Sequence, residues 1–497
     1  MTKIEFLDTV TAQMRCKRMR PMISEELEQH ILDQAGDYER EGIEAEAAME
    51  KAVEEMGDPV EIGVELDRIH RPRMSWGIVI LTALIALAGF GLWMIILANA
   101  LVQGGEQAGV LISRELPALQ DQAFFNLIGF PLMLIVCFVD YSFLGKHTKQ
   151  IAAAFLIFMY TASWFWGAGL YGGYRFLSFF NIQISTVALM WLYLPLYGAL
   201  LYAYRGGGWL AIGKLCLWAL AGIFYLWEMA ASGSAAFALG LALAVLLSLA
   251  ITKDWYRIKK KHVLGTFWGI MLGVPILLFL LFRFGVLGAE SLSAHPDFSY
   301  RVARLQAFVA QYQERNNYQY QMTYNYQVGI ARTILNNSEL IGNDAENLSF
   351  TVESLPAFNT DFSFVSLIAG YGILGGVLVI ILLLFLICKI LHISLSQKNQ
   401  LGMVVGCAAA ISLLVQSLMC ILINLGLLPN TSATLPFIST GGTNLIVSYI
   451  LIGIALSVCR YQNILKEKSL KAQESEKEAG KIFQIKLGGG VLTYERK

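Results

Sequence analysis

Charge is scarce in this sequence. Only 15% of its 497 residues are Asp, Glu, Lys or Arg, against roughly 25% in typical soluble domains. The formal net charge is zero, so the basic surface that holds a nucleic acid is not expected. Cysteine is sparse. Cys16, Cys137, Cys216, Cys388, Cys407, Cys420 and Cys459 form no CxxC pair, and none falls in the long polar stretch 286–361. That excludes a disulfide framework and a zinc pair. The six histidines are scattered, so no protein-built metal site is expected. The first seventy or so residues are hydrophilic, which argues against a cleavable signal peptide.

Apolar surface takes the place of charge. Apolar residues make up 56% of the chain and gather in runs of about twenty, the length that crosses a bilayer. About ten spans are expected, near 76–101, 123–144, 151–172, 186–204, 210–230, 235–252, 265–285, 362–391, 401–428 and 443–461. The fold class is therefore an all-α polytopic membrane protein. Lys and Arg set the orientation. Arg71 and Arg73, Lys146 and Lys149, Arg205 and Lys214, Lys253 to Lys261, and Lys389 and Lys398 mark every second connection. Both termini are thus expected in the cytoplasm. The large loop 286–361, between the seventh and eighth spans, is expected outside.

Three regions follow: residues 1–73, the membrane part 74–462 and a charged tail 463–497. In the first, Ser24 is placed as the cap of a helix opening with Glu25-Glu26. A second helix is expected from Ala45 to Met56. Gly57 would end it, and Asp58-Pro59 would open the next. Glu26-Leu27, His30 and Met56-Gly57-Asp58-Pro59 resemble the HAAS, or permease-prefix, helical domain that precedes membrane segments in Gram-positive proteins. The tail alternates apolar residues near its end (Ile482, Ile485, Leu487, Val491-Leu492) and is expected to be flexible.

Two stretches carry more than topology. The polar loop is too long for a mere connector. It holds an expected helix from Tyr300 to Arg315, then Tyr312, Tyr318, Tyr320, Tyr324 and Tyr326 among amides. Such a surface suits sugars, peptides or the membrane interface. It ends at Thr360-Asp361-Phe362-Ser363-Phe364, where a carboxylate meets a membrane boundary. An ionisable group there is a functional candidate, or alternatively a helix N-cap. The connection Pro429–Gly442 holds two prolines and a Gly-Gly pair. Irregular backbone at membrane depth needs burial in protein or a wet cavity; an ordinary tight loop is the other reading.

These stretches resemble one family. Leu428-Pro429, Thr431, Leu435-Pro436-Phe437, Ser439 and Gly441-Gly442 match the signature of the SEDS family, the FtsW/RodA/SpoVE proteins of cell-wall synthesis. Thr360-Asp361-Phe362-Ser363-Phe364, continuing to Gly372, is similar to the end of that family's long outer loop. Tyr300-Arg301, Arg304-Leu305 and Gln327 with Ala331 resemble other loop positions. Arg175, Gln183 and Ser185 resemble an earlier outer connection. The resemblance covers roughly residues 76–461. It implies peptidoglycan glycosyltransferase activity: polymerisation of lipid II in division, cell shape or sporulation, with a class B penicillin-binding protein as transpeptidase partner. It implies Asp361 as catalytic base, and burial would favour its proton uptake. Arg175, Arg301 and Arg304 would meet the leaving pyrophosphate, and a divalent cation could share that task. Gln183, Gln327, Thr360, Pro436, Ser439, Gly441 and Gly442 complete the expected substrate site.

Several positions depart from the family. Ser432 stands where it has Gly, and Thr434 where it usually has Pro. Thr186 and Leu189 replace a Glu and a Lys, and Ala369-Gly370 replace Glu-Glu. Of the Gly-rich part of the large loop only Asn336-Asn337 and Gly342 remain. These departures favour a second reading, a catalytically impaired relative that scaffolds or regulates a wall-synthesis complex. A lipid flippase or transporter ranks below both, because few charged residues lie in mid-span.

Overall fold

The structure, a computed structural model, describes residues 1–17, 19–70, 72, 74–103, 105–170, 173–179, 182–283, 308, 326–429, 432–462, 482–487 and 490–495. It divides into two compact units. One comprises Met1–Met74 with Cys459–Lys497; the other is Ser75–Val458.

The first unit holds α1 (Lys3–Gln13), α2 (Arg20–Arg40), α3 (Ala45–Glu55) and α4 (Pro59–His70). Thr2 and Glu5 cap α1 reciprocally, which satisfies two amides that have no helical partner. Phe6, Val10, Ile31, Ala35, Ala52 and Val53 form its apolar core. Ser24 is not a cap, because α2 begins four residues earlier. Pro21 sits in its first turn, where its fixed φ is preorganised for helix. Gly57 takes φ 89° and Asp58 Oδ1 accepts from the Val60 amide at 2.8 Å, as the Gly-Asp-Pro sequence implies. The tail also corrects an expectation, since Ile482–Leu487 and Gly490–Glu495 pair as an antiparallel hairpin. Its alternating apolar residues suit a strand's period of two.

The second unit is built of α5 (Trp76–Gln103), α6 (Gly105–Phe138), α7 (Ser142–Lys146), α8 (Thr148–Trp166), α9 (Thr186–Met190), α10 (Tyr193–Ala203), α11 (Trp209–Phe224), α12 (Gly233–Thr252), α13 (Lys260–Arg283), α14 (Tyr326–Asn336), α15 (Ala345–Ser354), α16 (Ser363–Leu395), α17 (Gln400–Asn424) and α18 (Gly442–Arg460). Eight candidate spans among the described residues are long and apolar enough to cross a membrane. Helices α8 and α13 lie at the third and seventh expected spans. The 19 residues of α8 reach about 28 Å, close to a hydrocarbon core. The chain is a multi-pass membrane protein. Leu127, Leu217 and Leu220 are well exposed, as side chains facing lipid should be. By contrast, α17 packs against α10, α12 and α16 and buries most of its length.

Three expectations change here. The third span stops at Trp166, and the chain turns into an antiparallel sheet of β1 (Gly167–Leu170), β2 (Gly173–Phe179) and β3 (Ile182–Ser185). The second span starts earlier than expected, because α6 is already helical at Gly105 and carries Pro117 within it. The eighth span is not one straight helix: α16 breaks at Gly372, φ 77°. There the Ile373 and Leu374 amides bond to the carbonyls of Glu339 and Leu340, each at 3.0 Å. Only glycine fits, since a Cβ would lie 2.8 Å from the Gly342 carbonyl oxygen. The expected helix Tyr300–Arg315 lies outside the described residues, apart from 308.

Between α17 and α18 the chain is irregular yet buried. Leu435, Phe437, Ile438 and Ser439 are fully enclosed. Helix α5 packs so closely that a Cβ on Gly89 would meet the Phe437 carbonyl oxygen at 2.3 Å. Gly89→Ala should therefore lower the melting temperature in detergent, by the equivalent of about 1–3 kcal/mol of overpacking. Gly213→Ala, with nothing within 4 Å of its Cβ, should leave it unchanged or slightly raised.

Candidate functional site

The site is assembled by two turns that hold each other. The first is the end of the polar loop. Phe358 and Phe362 are buried and anchor it. Ala357 takes φ 56°, and its carbonyl accepts from the amides of Thr360, Asp361 and Phe362 at 3.1, 3.0 and 3.1 Å. That tight turn presents Asp361, the last of the three residues between the two anchors. Asn424 Nδ2 donates to the Asp361 carbonyl at 2.8 Å. Asn424 Oδ1 accepts from the Val365 amide at 3.2 Å.

The second turn is 432–442. Ser439 Oγ donates to the Thr360 carbonyl at 3.0 Å. It also lies 2.8 Å from Ser363 Oγ and accepts from the Leu435 amide at 2.8 Å. The Thr440 amide donates to the Asn359 carbonyl at 2.9 Å. Trp93 Nε1 and Gln122 Nε2 donate to the carbonyls of Ile438 and Phe437, at 2.9 and 3.3 Å. Non-helical backbone can lie at this depth because its polar groups find partners in protein.

Asp361 is not an N-cap. The cap position of α16 is Phe362, and no side chain caps that helix. Instead Asp361 Oδ1 accepts from Ser432 Oγ at 3.0 Å. The Asp361 side chain lines an open cavity of about 740 Å³. That cavity brings together Asp361, Thr360, Gln183, Gly441 and Gly442 from the expected set. Gly442 is required by packing, since a Cβ there would strike the Phe125 ring at 2.2 Å.

Other expected residues stand elsewhere. Ser439 and Pro436 are buried behind the lining, and Ser439 acts through Thr360 rather than on the cavity. Gln327 lies on α14, outside the lining. Arg175 falls in β2 just before the lining residue Phe176, and its side chain is not described. Arg301 and Arg304 lie outside the described residues. Thr186, at the family's Glu position, is buried.

Among the lining residues that sequence reasoning missed are Asp121, Gln416 and Asn444. Gln416 had a readable signal, as the one amide between Leu401 and Ile423 in an apolar run. A polar side chain inside a span marks function by default. Asp121 sits in Gln120-Asp121-Gln122, beyond the limit drawn for the second span.

The sequence model of the cell cycle protein family FtsW/RodA/SpoVE matches residues 78–464. The chain belongs to this family. Among curated relatives, a probable peptidoglycan glycosyltransferase FtsW of Enterococcus hirae is 32% identical over 158 residues, 32% of this chain and 39% of that one. The FtsW of Alcanivorax borkumensis is 28% identical over 317 residues, 60% of this chain and 79% of that one. Stage V sporulation protein E of Bacillus subtilis is 34% identical over 107 residues, 22% of this chain and 29% of that one. The matches span 39% and 54% of the first two relatives' lengths. Two solved structures share the fold. A chain of a peptidoglycan synthase complex has TM-score 0.57 at 19% identity, covering 79% of this chain and 99% of that one. A variant of the rod shape determining protein RodA of Thermus thermophilus has TM-score 0.51 at 18% identity, covering 78% and 98%.

The two serines of this FtsW/RodA/SpoVE site should separate in mutagenesis. Ser439→Ala removes three hydrogen bonds around one buried hydroxyl and should cost about 2–4 kcal/mol of stability, read by thermal melting. Ser432→Ala removes one exposed bond. It should leave melting within a degree or two.

Proposed function

We propose that the protein is a peptidoglycan glycosyltransferase that polymerises lipid II at the outer face of the bacterial cytoplasmic membrane. The observation that carries this reading is the Asp361 carboxylate in the cavity, presented by a turn that the segment 432–442 clamps in place. The names of the FtsW relatives support the same activity.

In this reading a hydroxyl of one sugar attacks the anomeric carbon of a second lipid-linked sugar. Asp361 takes the hydroxyl proton, a new C–O bond forms, and the bond to the polyprenyl pyrophosphate breaks with its electron pair leaving on phosphate. A general base positioned this way contributes typically 10²–10⁴-fold. Ser432 holds the carboxylate toward the acceptor. Arg175, Arg301 and Arg304 are assigned to the pyrophosphate, where positive charge stabilises the leaving group. A divalent cation bound with the pyrophosphate would add to that charge. Asp121, a carboxylate lining the same cavity, is the oxygen donor type such an ion takes.

The distribution of Lys and Arg supports a topology with both termini in the cytoplasm and the 286–361 loop outside. The peptidoglycan synthase complex that shares this fold supports a membrane partner, and we assign a class B penicillin-binding transpeptidase to that role. A second reading is a scaffold without activity, with residues 1–73 as a cytoplasmic docking or sensing piece. The observation favouring it is Thr186 buried where the family carries Glu, with Leu189 in place of Lys.

Purified protein, alone and with its cognate penicillin-binding protein, should polymerise lipid II into strands. Asp361→Asn should lower the rate at least about 10²-fold with unchanged melting. Equal rates from wild type and variant would remove Asp361 from the chemistry. No strands from folded wild-type protein in either setting would favour the scaffold.

A further inference from the structure

The cavity wall includes the start of α12, where Ser232, Ser234, Ala235 and Ala238 line it. A helix leaves its first amides without intrahelical partners. Here the first bond into the helix runs from the Ala236 amide to the Ser232 carbonyl at 3.0 Å. No described residue accepts from the amides of Gly233, Ser234 or Ala235. A serine at the N-cap folds its hydroxyl back onto such amides. Ser232 holds the N-cap position and makes no such bond. Its own amide donates to the Leu226 carbonyl at 2.9 Å, so the residue is held from behind. Ser232 is 5% exposed, and its Oγ has no hydrogen-bond partner among the described residues. That atom is not one of the sealed, unpaired ones; it keeps accessible surface, and the space Ser232 lines is the cavity. A hydroxyl so deeply set is ordinarily paired, and one that is not calls for an explanation.

We propose that the α12 N-terminus, with the Ser232 and Ser234 hydroxyls, is the cavity's phosphate subsite and takes the pyrophosphate of a lipid-linked sugar. The proposal rests on the glycosyltransferase reading for its parent substrate and adds the protein groups that hold this part of it. Three backbone amides, two hydroxyls and the positive end of a 20-residue helix with no acid in its first turn make an oxyanion site. The described lining holds two carboxylates, Asp121 and Asp361, and no cation. Oriented amides are therefore the positive pole that the described cavity offers, and they add to the arginines assigned to the same group. The wall then turns apolar. Ala235 and Ala238 lie about one turn apart on α12, and Val187, Trp191 and Met419 add apolar lining. A phosphate with an apolar chain attached uses both parts of this wall; a free anion would use only the first.

The test measures binding of a sugar-free polyprenyl pyrophosphate, and of the matching polyprenol, to the full-length protein in phosphatidylcholine nanodiscs. Wild type should prefer the pyrophosphate by about 100-fold, the scale of a few charge-assisted hydrogen bonds. Ser232→Ala should lower that preference about tenfold, as the loss of one such bond would. Ser234→Asp should bring the ratio to about one, because a carboxylate then occupies the helix end, while melting without ligand holds or rises. Ile182→Asp puts the same charge at an exposed position of the lining and should lower the preference less than about threefold. Equal losses from Ser234→Asp and Ile182→Asp would reduce the effect to general charge and overturn the subsite. A wild-type ratio in both serine variants would overturn it too, as would displacement of the pyrophosphate by equimolar phosphatidylglycerol, the mark of a site for ordinary lipid headgroups. Polymerisation of lipid II by the same preparation separates the two readings. Strands together with any of these contrary results overturn the subsite alone. No strands and no preference for the pyrophosphate overturn the glycosyltransferase reading, and the subsite with it.

Discussion

One hydroxyl ties the site together. Ser439 Oγ meets the Thr360 carbonyl, Ser363 Oγ and the Leu435 amide at once, and Ser439 itself is fully buried. The constraint behind this is simple. Two stretches of non-helical chain lie within a helical membrane protein, and neither can leave its backbone unpaired in apolar surroundings. They satisfy each other instead. Trp93, Gln122 and Asn424 supply what remains. The position of the Asp361 carboxylate follows from this exchange, because Thr360 and Asp361 share the turn that Ser439 and Asn424 grip.

On the proposed glycosyltransferase reading, rigidity here has a chemical use. A base that must take a proton in a transition state gains little if its own position fluctuates. The carbonyl of Asp361 is held by Asn424, Oδ1 accepts from Ser432, and the carboxylate still reaches an open cavity. Glycines make the close approaches possible. Gly89 lets α5 touch the Phe437 carbonyl, and Gly442 lets the start of α18 pass the Phe125 ring. Ser432 gives Asp361 a hydroxyl partner that a glycine there would not provide. Apart from the carboxylate of Asp121, the rest of the described cavity lining is uncharged: amides, hydroxyls, aromatic rings and apolar side chains.

Much of this was legible in the sequence for physical reasons. Span positions follow from apolar run length, since a bilayer tolerates little else. The seam at Asp361 and the Pro- and Gly-rich connection were legible because each breaks an apolar pattern at membrane depth. What was not legible depends on contacts across the chain. Hydropathy reads Gly372 as part of one long apolar run; the break there needs residues 339–343 to take over the helix's hydrogen bonds. The sheet over 167–185 is hidden because Phe176 and Leu177 count as apolar in helix and strand alike. Ser24 misled because it is a good cap, while Pro21 starts the helix earlier. Gln416 and Asn444 lie 28 positions apart and share a cavity only once α17 and α18 have packed. The capping role considered for Asp361 failed because the helix begins at Ser363 and the aspartate turns outward to Ser432.

The central claim is that the cavity beside Asp361 receives a lipid-linked sugar. The most direct measurement places a photo-crosslinking residue at Thr434, which lines the cavity, and a second at Leu220, an exposed position on α11. Each protein is irradiated in membranes with labelled lipid II. A covalent adduct from Thr434, suppressed by excess unlabelled lipid II, with only background from Leu220, is the predicted result. Equal labelling at both positions, or labelling at Leu220 alone, would contradict the account.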